Sequence, residues 1–544
     1  MAAAETGSEQ GAAAQPSPAG RGYHPLRAVK ALLRLPAFAV VAVIDTAERL
    51  FASSGGLYRL WFFPGLETTR WNLGIWRAWR GFYMAHGSVP AYRDFIAKHG
   101  GMPDVHFTPG LFPDLSAIPE MDKASYVKAY PIHERIKGGK LPRKGVMVDE
   151  SSGSSGQPTS WVRGPVERQI VSQMMRLSYA ESVDRERPVF ILNAFALGAW
   201  ATGMNVSMSL TPSSIVKSTG PNLDKIVSTM LEFGPRYRYV VMGYPPFLKE
   251  LADDKRIDWD QFVVDAGYGG EGISEGLRAY LGKRFKRVVG SYGASDLEVN
   301  MAIETELTIA LRQAIGEDSE LRQAMIRTDY GVTPMIFQYN PMAYYVETNA
   351  AGELVVTMSR PYHIAPKIRY NIHDRGHVMR FPELERILRK AGRSELLKKE
   401  GAGVDLPLLF LYGRSDMSID YYGANVTPDS IREVVYAVER LAPIINTYRL
   451  LSYEDDQANK RMEVACELME GAAVPADADA IGDEVFERLA KINGDFYNAL
   501  YHTAPETNRP RFTLHPFGTG PFEGGQKKLK NEYVSTDIQY DKLN

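Results

Sequence analysis

Between the apolar run Val146 to Val148 and a helix-like segment opening at Pro165, the chain reads Ser151-Ser152-Gly153-Ser154-Ser155-Gly156-Gln157-Pro158-Thr159. The two glycines let successive amides turn inward, and the hydroxyls add donors without bulk. A loop of this kind between a strand and a helix suits phosphate. A flexible Gly/Ser linker has the same composition; the strand-loop-helix setting and the rigid Pro158-Thr159 ending favour the cradle. No Lys-Ser/Thr pair follows the glycines, so this is not a nucleoside-triphosphatase P-loop.

What such a cradle serves depends on the rest of the chain. At 544 residues, it exceeds a single hydrophobic core and implies at least two domains. A net charge of -2 gives no electrostatic basis for binding nucleic acid. Cys466 is the single cysteine, which excludes an intrachain disulfide or a cysteine-built zinc site and fits a reducing, cytoplasmic setting. Residues 1–22 are rich in Ala, Gly, Ser and Pro and are expected to be a disordered tail.

From His24 to Phe51 comes an apolar segment whose continuous run, Leu35 to Ile44, falls well short of the roughly twenty residues that cross a bilayer. Arg27, Lys30 and Arg34 precede the run, but it lies late, Pro36 interrupts it, and no cleavage site of a signal peptide stands out. It reads as a helix packed on its own domain, with peripheral contact at a membrane surface as the alternative.

Trp71 to Ala97 carries aromatic and charged residues at helical spacing, which predicts a helical N-terminal layer, and Pro103 to Pro119 reads as loop. Beyond Gly145, strands and helices alternate. Strands are expected at Pro188–Leu192, Tyr237–Met242, Phe262–Ala266 and Arg287–Val289, with helices at Asn222–Phe233 and Ser274–Phe285. This pattern predicts a mostly parallel sheet wrapped on both faces. A charged helix is expected over Glu304–Arg327, strands at Phe337–Val346 and Glu353–Thr357, and a second charged helix over Glu383–Glu400. After the strand Leu406–Leu411 a smaller mixed unit begins. It holds a helix from Pro428 to Leu441, strands at Thr447–Ser452 and Met462–Leu468, and a helix from Glu484 to Leu500.

Four further stretches stand beside the Ser/Gly loop: Gly290-Ser291-Tyr292-Gly293-Ala294-Ser295-Asp296; Arg369-Tyr370-Asn371-Ile372-His373-Asp374-Arg375-Gly376; Gly413-Arg414-Ser415-Asp416; and Gly423-Ala424-Asn425-Val426-Thr427-Pro428. In this order and spacing they resemble the adenylate-forming superfamily, most closely its phenylacetate–CoA ligase-like branch. Gly270-Glu271-Gly272 and Gly352-Glu353-Leu354 resemble two more of that branch's segments, and the likeness runs from about Pro90 to Val534. The resemblance implies an α/β fold. A large adenylate-forming domain (residues 23–415) with wrapped sheets would be joined to a small, mobile α+β lid (residues 416–544).

It also implies ATP-dependent activation of a carboxylic acid to an acyl-adenylate, followed by transfer to a thiol, with ATP, Mg2+ and coenzyme A as the small molecules. Ser151, Ser152, Gly153, Ser154, Ser155, Gly156 and Thr159 would hold phosphates, with Gln157 where the family usually has lysine. Gly270, Glu271, Tyr292, Gly293 and Ser295 would border the nucleotide. Asp374 would take the ribose hydroxyls, and Arg414 the ribose or a phosphate. Asp296, where the family usually has glutamate, or Glu298 would bind magnesium. Asp416 would be the hinge, and Lys527, Lys528 or Lys530 the catalytic lysine. His373 replaces the family's usual glycine. His363, His373 and His377 lack metal-ligand spacing and read as structural.

For the acid, Phe195, Trp200 and Tyr244 are candidate pocket residues, Tyr244 standing at the end of a strand where open α/β sheets bind ligands. Two other readings stay open. In one, the acceptor is a carrier protein, a partner enzyme or an amine; in the other, the chain is a non-catalytic nucleotide-binding scaffold.

Overall fold

Long runs of β-branched and aromatic residues with no polar alternation suit strands covered on both faces, and the centre of the molecule is built from them. Arg238–Gly243, for example, is buried at every residue. The computed structural model describes residues 25–523 except 53, 111, 152–158, 178–185, 327–332, 416–417 and 456, together with 534–535. The tail of residues 1–22 lies outside the described residues.

An eleven-stranded sheet organises the larger part of the molecule. Ile215–Ser218, Val189–Asn193, Arg238–Gly243, Val263–Tyr268 and Val288–Tyr292 lie side by side in that order and run parallel. The sheet continues through Ala302–Ile303, Met335–Tyr339, Leu408–Arg414, Tyr370–Met379, Glu353–Met358 and Tyr344–Thr348, each antiparallel to its neighbour. The expectation of a mostly parallel sheet therefore fits only one half. In the other half the connections return each strand antiparallel to its neighbour, through a tight turn between Tyr344–Thr348 and Glu353–Met358 and through helices after Ile303 and Met379. The expected strand Phe337–Val346 is two strands separated at Asn340-Pro341, and the second returns through Asn349 to Gly352.

The Ser/Gly stretch departs from expectation in the same way. Met147–Ser151 pairs antiparallel with Thr159–Arg163, Ser151 opposite Thr159, so residues 152–158 join two strands of a hairpin. The helix Pro165–Met175 follows one strand later, with proline in its first turn.

At the N-terminus the expected helix spans Pro25–Phe51. It packs on the large domain, where Asp45 and Glu48 each lie 2.8 Å from the buried guanidinium of Arg77 on the helix Glu67–Ser88. No helix among the described residues is long and apolar enough to cross a membrane.

Residues 419 to 514 have a hydrophobic core of their own, which contains Cys466. Its sheet is made of Ile445–Glu454, Lys460–Leu468, Arg511–His515 and Val534–Ser535. The helix Pro428–Ala437 opens with Thr427 accepting the backbone N–H of Ser430 at 3.1 Å. The helix expected over Glu484–Leu500 starts earlier, at Ala478, and stops at Ile492, where Asn493 caps a new turn.

Candidate functional site

A cleft of about 1240 Å3 opens where the parallel half of the sheet ends, walled on one side by the antiparallel half and on the other by the C-terminal unit. Its floor is the turns that leave the parallel strands at their carboxyl ends, where open α/β sheets bind ligands. Tyr244 follows Arg238–Gly243, Gly270 and Glu271 follow Val263–Tyr268, and Gly293 to Asp296 follow Val288–Tyr292. Two glycines are required here by geometry. A Cβ on Gly270, which has a φ of 84°, would lie 2.6 Å from the Tyr244 ring, and one on Gly293 would lie 2.4 Å from the Glu298 carbonyl.

Asp374 and Arg414 come from adjacent antiparallel strands, whose register sets them directly opposite each other. Tyr292 donates its hydroxyl to Asp374 Oδ2 at 2.6 Å, and Arg414 Nη1 stands 3.8 Å from Oδ1. Burial, then the Asp374 charge, raises the Tyr292 phenol well above its ordinary range, so it is a proton donor throughout. One face of its ring is taken by Phe337, with the ring centroids 5.8 Å apart, and the residue still lines the cleft. His373 stands next to Asp374 with a φ of 61°, the left-handed region glycine prefers. Its ring nitrogens lie 3.3 Å from Glu353 and 3.4 Å from Asp122. Glu353 is held at about 2: burial works against its charge, but hydrogen bonds from Ser415, Asn371, Asn349 and His373 prevail.

The hairpin is fastened to this floor by Arg163. Its Nε donates to Asp149 at 2.7 Å, and its two terminal nitrogens donate to the carbonyls of Leu297 and Ser295 at 2.6 and 2.7 Å. Ser151 lines the cleft at the hairpin's end, and Lys123 Nζ donates to its hydroxyl at 3.4 Å. Asp296 also lines the cleft and accepts the Tyr370 hydroxyl at 2.5 Å. Behind it, Lys367 is fully enclosed, 5.0 Å above the Trp161 ring, and burial followed by the charge of Arg135 lowers it to about 7.

From the C-terminal unit, Lys460 reaches Glu271 at 2.5 Å, and Ser274 donates to Glu454 at 2.5 Å. Burial opposes the charge on Lys460, but Glu271 and Asp420 outweigh it and raise its pKa. Asp420 is pushed up to about 7 by burial and by the charge of Glu271.

The structure thus brings Ser151, Gly270, Glu271, Tyr292, Gly293, Ser295, Asp296, Asp374, Arg414, Trp200 and Tyr244 to one cleft. It does not bring Glu298, Phe195 or Thr159 there. Glu298 is buried behind the floor, accepting the Tyr344 hydroxyl, with His363 3.8 Å away. Phe195 backs the Tyr244 ring edge-on at 5.3 Å, and Thr159 pairs with Ser151 in the hairpin. The three histidines sit apart: His363 is 3.1 Å from Glu167, His373 is near Asp374, and His377 stacks on Phe410. Ser152, Gly153, Ser154, Ser155, Gly156, Asp416, Lys527, Lys528 and Lys530 lie outside the described residues. Lys123, Arg163 and Lys460 escaped the sequence reading. Each stands in a stretch without a recognisable motif, and only Asp122 as the cap of the short helix Lys123–Val127 hinted at a fixed position.

No protein-family model matches the chain, and no curated protein matches it in sequence. Solved structures do. A 2-hydroxyisobutyryl-CoA ligase bound to 2-HIB-AMP and CoA in the thioesterification state is 14% identical, covering 88% of this chain and 91% of its own, at a TM-score of 0.59. The same enzyme in the postadenylation state, with R3-HIB-AMP, matches over the same shares at 14% identity and 0.50. The amide bond synthetase McbA from Marinactinospora thermotolerans is 14% identical over 69% of this chain and 66% of its own, at 0.42. The fold of this chain is that of the adenylate-forming enzymes.

Proposed function

We propose that the protein activates a carboxylic acid with ATP, releasing pyrophosphate, and passes the acyl group from the adenylate to a thiol, that of coenzyme A. The observation that carries the reading is the convergence, in one cleft, of Ser151, Ser295-Asp296 and the Tyr292–Asp374–Arg414 cluster from distant parts of the chain. The order of the motifs along the chain supports the phenylacetate–CoA ligase-like branch. A single buried cysteine suits a cytoplasmic enzyme.

In this reading Asp374 accepts both ribose hydroxyls, its geometry fixed by Tyr292, while Arg414 faces the α-phosphate or ribose. Lys123 and the amides and hydroxyls of the Ser/Gly loop take the leaving phosphates. Lys123 thereby supplies the positive charge that Gln157 does not. Asp296 is a hard oxygen ligand at the cleft wall. That suits magnesium, which takes one or two carboxylates together with substrate phosphates and neutralises the charge that develops there. Tyr244 and Trp200 border the acyl site.

The first half-reaction joins a carboxylate oxygen to the α-phosphorus and breaks its bond to pyrophosphate. In the second, the thiol sulfur attacks the acyl carbonyl and AMP leaves. Residues 416–544 are the lid, turning about Asp416 to present one of Lys527, Lys528 and Lys530 for the first step and another face for the second. The arrangement with Lys460 on Glu271 is the thiol-transfer one, a reading supported by the better superposition on the thioesterification-state structure.

The test is AMP and pyrophosphate formation from ATP and magnesium across aromatic and fatty carboxylates, with and without coenzyme A. Carboxylate-dependent AMP that coenzyme A turns into thioester is expected. Adenylate formed with no coenzyme A-dependent step would move the acceptor to a carrier protein or amine. Bound ATP with no AMP formed from any acid would overturn catalysis.

A further inference from the structure

A second chamber lies behind the wall of the cleft that carries Ser295 and Asp296, and those two residues line both spaces. Its volume is about 20 Å3, room for one occupant of about the size of a water molecule. Trp161 and Arg163 of the strand Thr159–Arg163, with Glu167, His363, Arg135 and Lys367, supply most of its other polar groups. Several of these are matched within the protein. Arg163 is paired with Asp149 at 2.7 Å. Glu167 accepts the amides of Gly164 and Ile364, at 2.6 and 3.2 Å, and lies 3.1 Å from His363 Nδ1. Asp296 accepts the Tyr370 hydroxyl.

Arg135 and Lys367 are left over. Among the described residues neither has a carboxylate within ion-pair distance, and the Lys367 ammonium makes one long hydrogen bond, 3.5 Å to the Ala365 carbonyl. Burial lowers both from their ordinary range, as it does for cations without a close counter-charge. The orphaned atoms of the walls tell the same story. Arg135 Nε and Trp161 Nε1 are buried with no hydrogen-bond partner among the described residues, and both can only donate. His363 Nε2 lacks a partner too, and it donates when the ring is charged. No buried side-chain oxygen of these walls is without a partner among the described residues.

We propose that this chamber binds one halide ion, a chloride, held by the Arg135 guanidinium, the Lys367 ammonium and the indole N–H of Trp161. Charge-assisted hydrogen bonds from two cations offset the loss of the ion's hydration. A water molecule fits the volume but not the chemistry. It brings no charge to set against the two cations, and its own protons need acceptors that are already engaged. Phosphate, sulfate and carboxylates are too large for the space, and a metal cation would meet donors. With the halide in place, Arg135 and Lys367 have a counter-charge of their own, and Asp296 stays free to face the cleft. The inference rests on the chamber alone and is independent of the proposed chemistry.

The test uses crystals of the full-length chain grown without halide and soaked in sodium bromide, whose anomalous scattering locates the ion. A bromide peak is expected in the chamber, within hydrogen-bond reach of Arg135 and Lys367. In solution, exchanging sodium gluconate for sodium chloride at constant ionic strength should raise the Tm saturably, by about 2 °C or more. Lys367→Met removes the charge and keeps an unbranched side chain, so it should lose both the peak and the chloride-dependent rise. Arg135→Met should lose them as well, and the wild-type measurements decide the question even where a variant does not fold. Three results would overturn the inference. One is bromide on the protein surface only, with water in the chamber. Another is the same wild-type Tm in chloride and gluconate. The third is a peak and a rise that persist undiminished in either folded variant, which would place the ion elsewhere.

Discussion

Lys460 and Glu271 form an ion pair of 2.5 Å that joins a strand of the C-terminal unit to the turn beneath the cleft. The Glu271 side chain is fully buried in it, so the pair exists only while the two units stay docked. Removing one partner leaves the other charge buried and unpaired, which costs far more than a surface pair would. Lys460→Ala should therefore disfavour the docked arrangement. Thioester formation should fall at least about tenfold, while carboxylate-dependent pyrophosphate release stays within about threefold of wild type. Separate assays of the two half-reactions check this; equal loss in both would separate docking from thiol transfer.

Asp420, beside that pair, makes docking pH-dependent. Its carboxyl is pushed up from 3.8 to about 7 by burial and the Glu271 charge, so the docked state keeps a proton that an exposed aspartate loses. Docking is therefore favoured at low pH. Its contribution is complete below about pH 4, fades as the pH rises toward 7, and is absent above that, by at most about tenfold per pH unit. Energy transfer between dyes on the two units should follow this course in wild type and lose it in Asp420→Asn.

The two acids after Tyr292 should separate cleanly. Asp296→Asn should raise the magnesium concentration needed for half-maximal activity by about tenfold or more. Glu298→Gln should leave it unchanged, because that carboxyl faces Tyr344 and not the cleft. Glu298→Ala should instead lower stability by about 1–3 kcal/mol, since it strands a buried hydroxyl. Magnesium titrations and thermal melts tell the two effects apart.

Much of the fold was legible because its elements are local. The helix Pro428–Ala437 is announced by Thr427-Pro428, and the hairpin Tyr344–Met358 by its Asn-Ala-Ala-Gly turn. What escaped was long-range pairing. Nothing local says that the sheet turns antiparallel after Tyr292, and the short-range hairpin that pairs Ser151 with Thr159 was hidden because its loop carries no hairpin-turn signal. The predicted helix Glu304–Arg327 is two helices because Asp318 ends one and caps the next, a short-range competition that periodicity averages away. At the site, motif order singled out Asp374 and Arg414, which the strand register sets opposite each other in the cleft. That Tyr292, expected to border the nucleotide, also donates to Asp374 is a pairing only tertiary structure supplies.

Lys123 should act on ATP and not on the acid. With its ammonium 3.4 Å from the Ser151 hydroxyl, Lys123→Ala should raise the KM for ATP by about tenfold or more and leave the KM for the carboxylate unchanged. Steady-state kinetics with each substrate varied in turn checks this.

In the proposed reaction the Tyr292–Asp374–Arg414 cluster holds the nucleotide for adenylate formation. Its most direct test is carboxylate-dependent pyrophosphate release by Asp374→Ala, with folding verified by an unchanged circular dichroism spectrum. The expected result is a loss of at least about tenfold in kcat/KM for ATP; wild-type pyrophosphate release from the folded variant would show that the cluster does not hold the nucleotide.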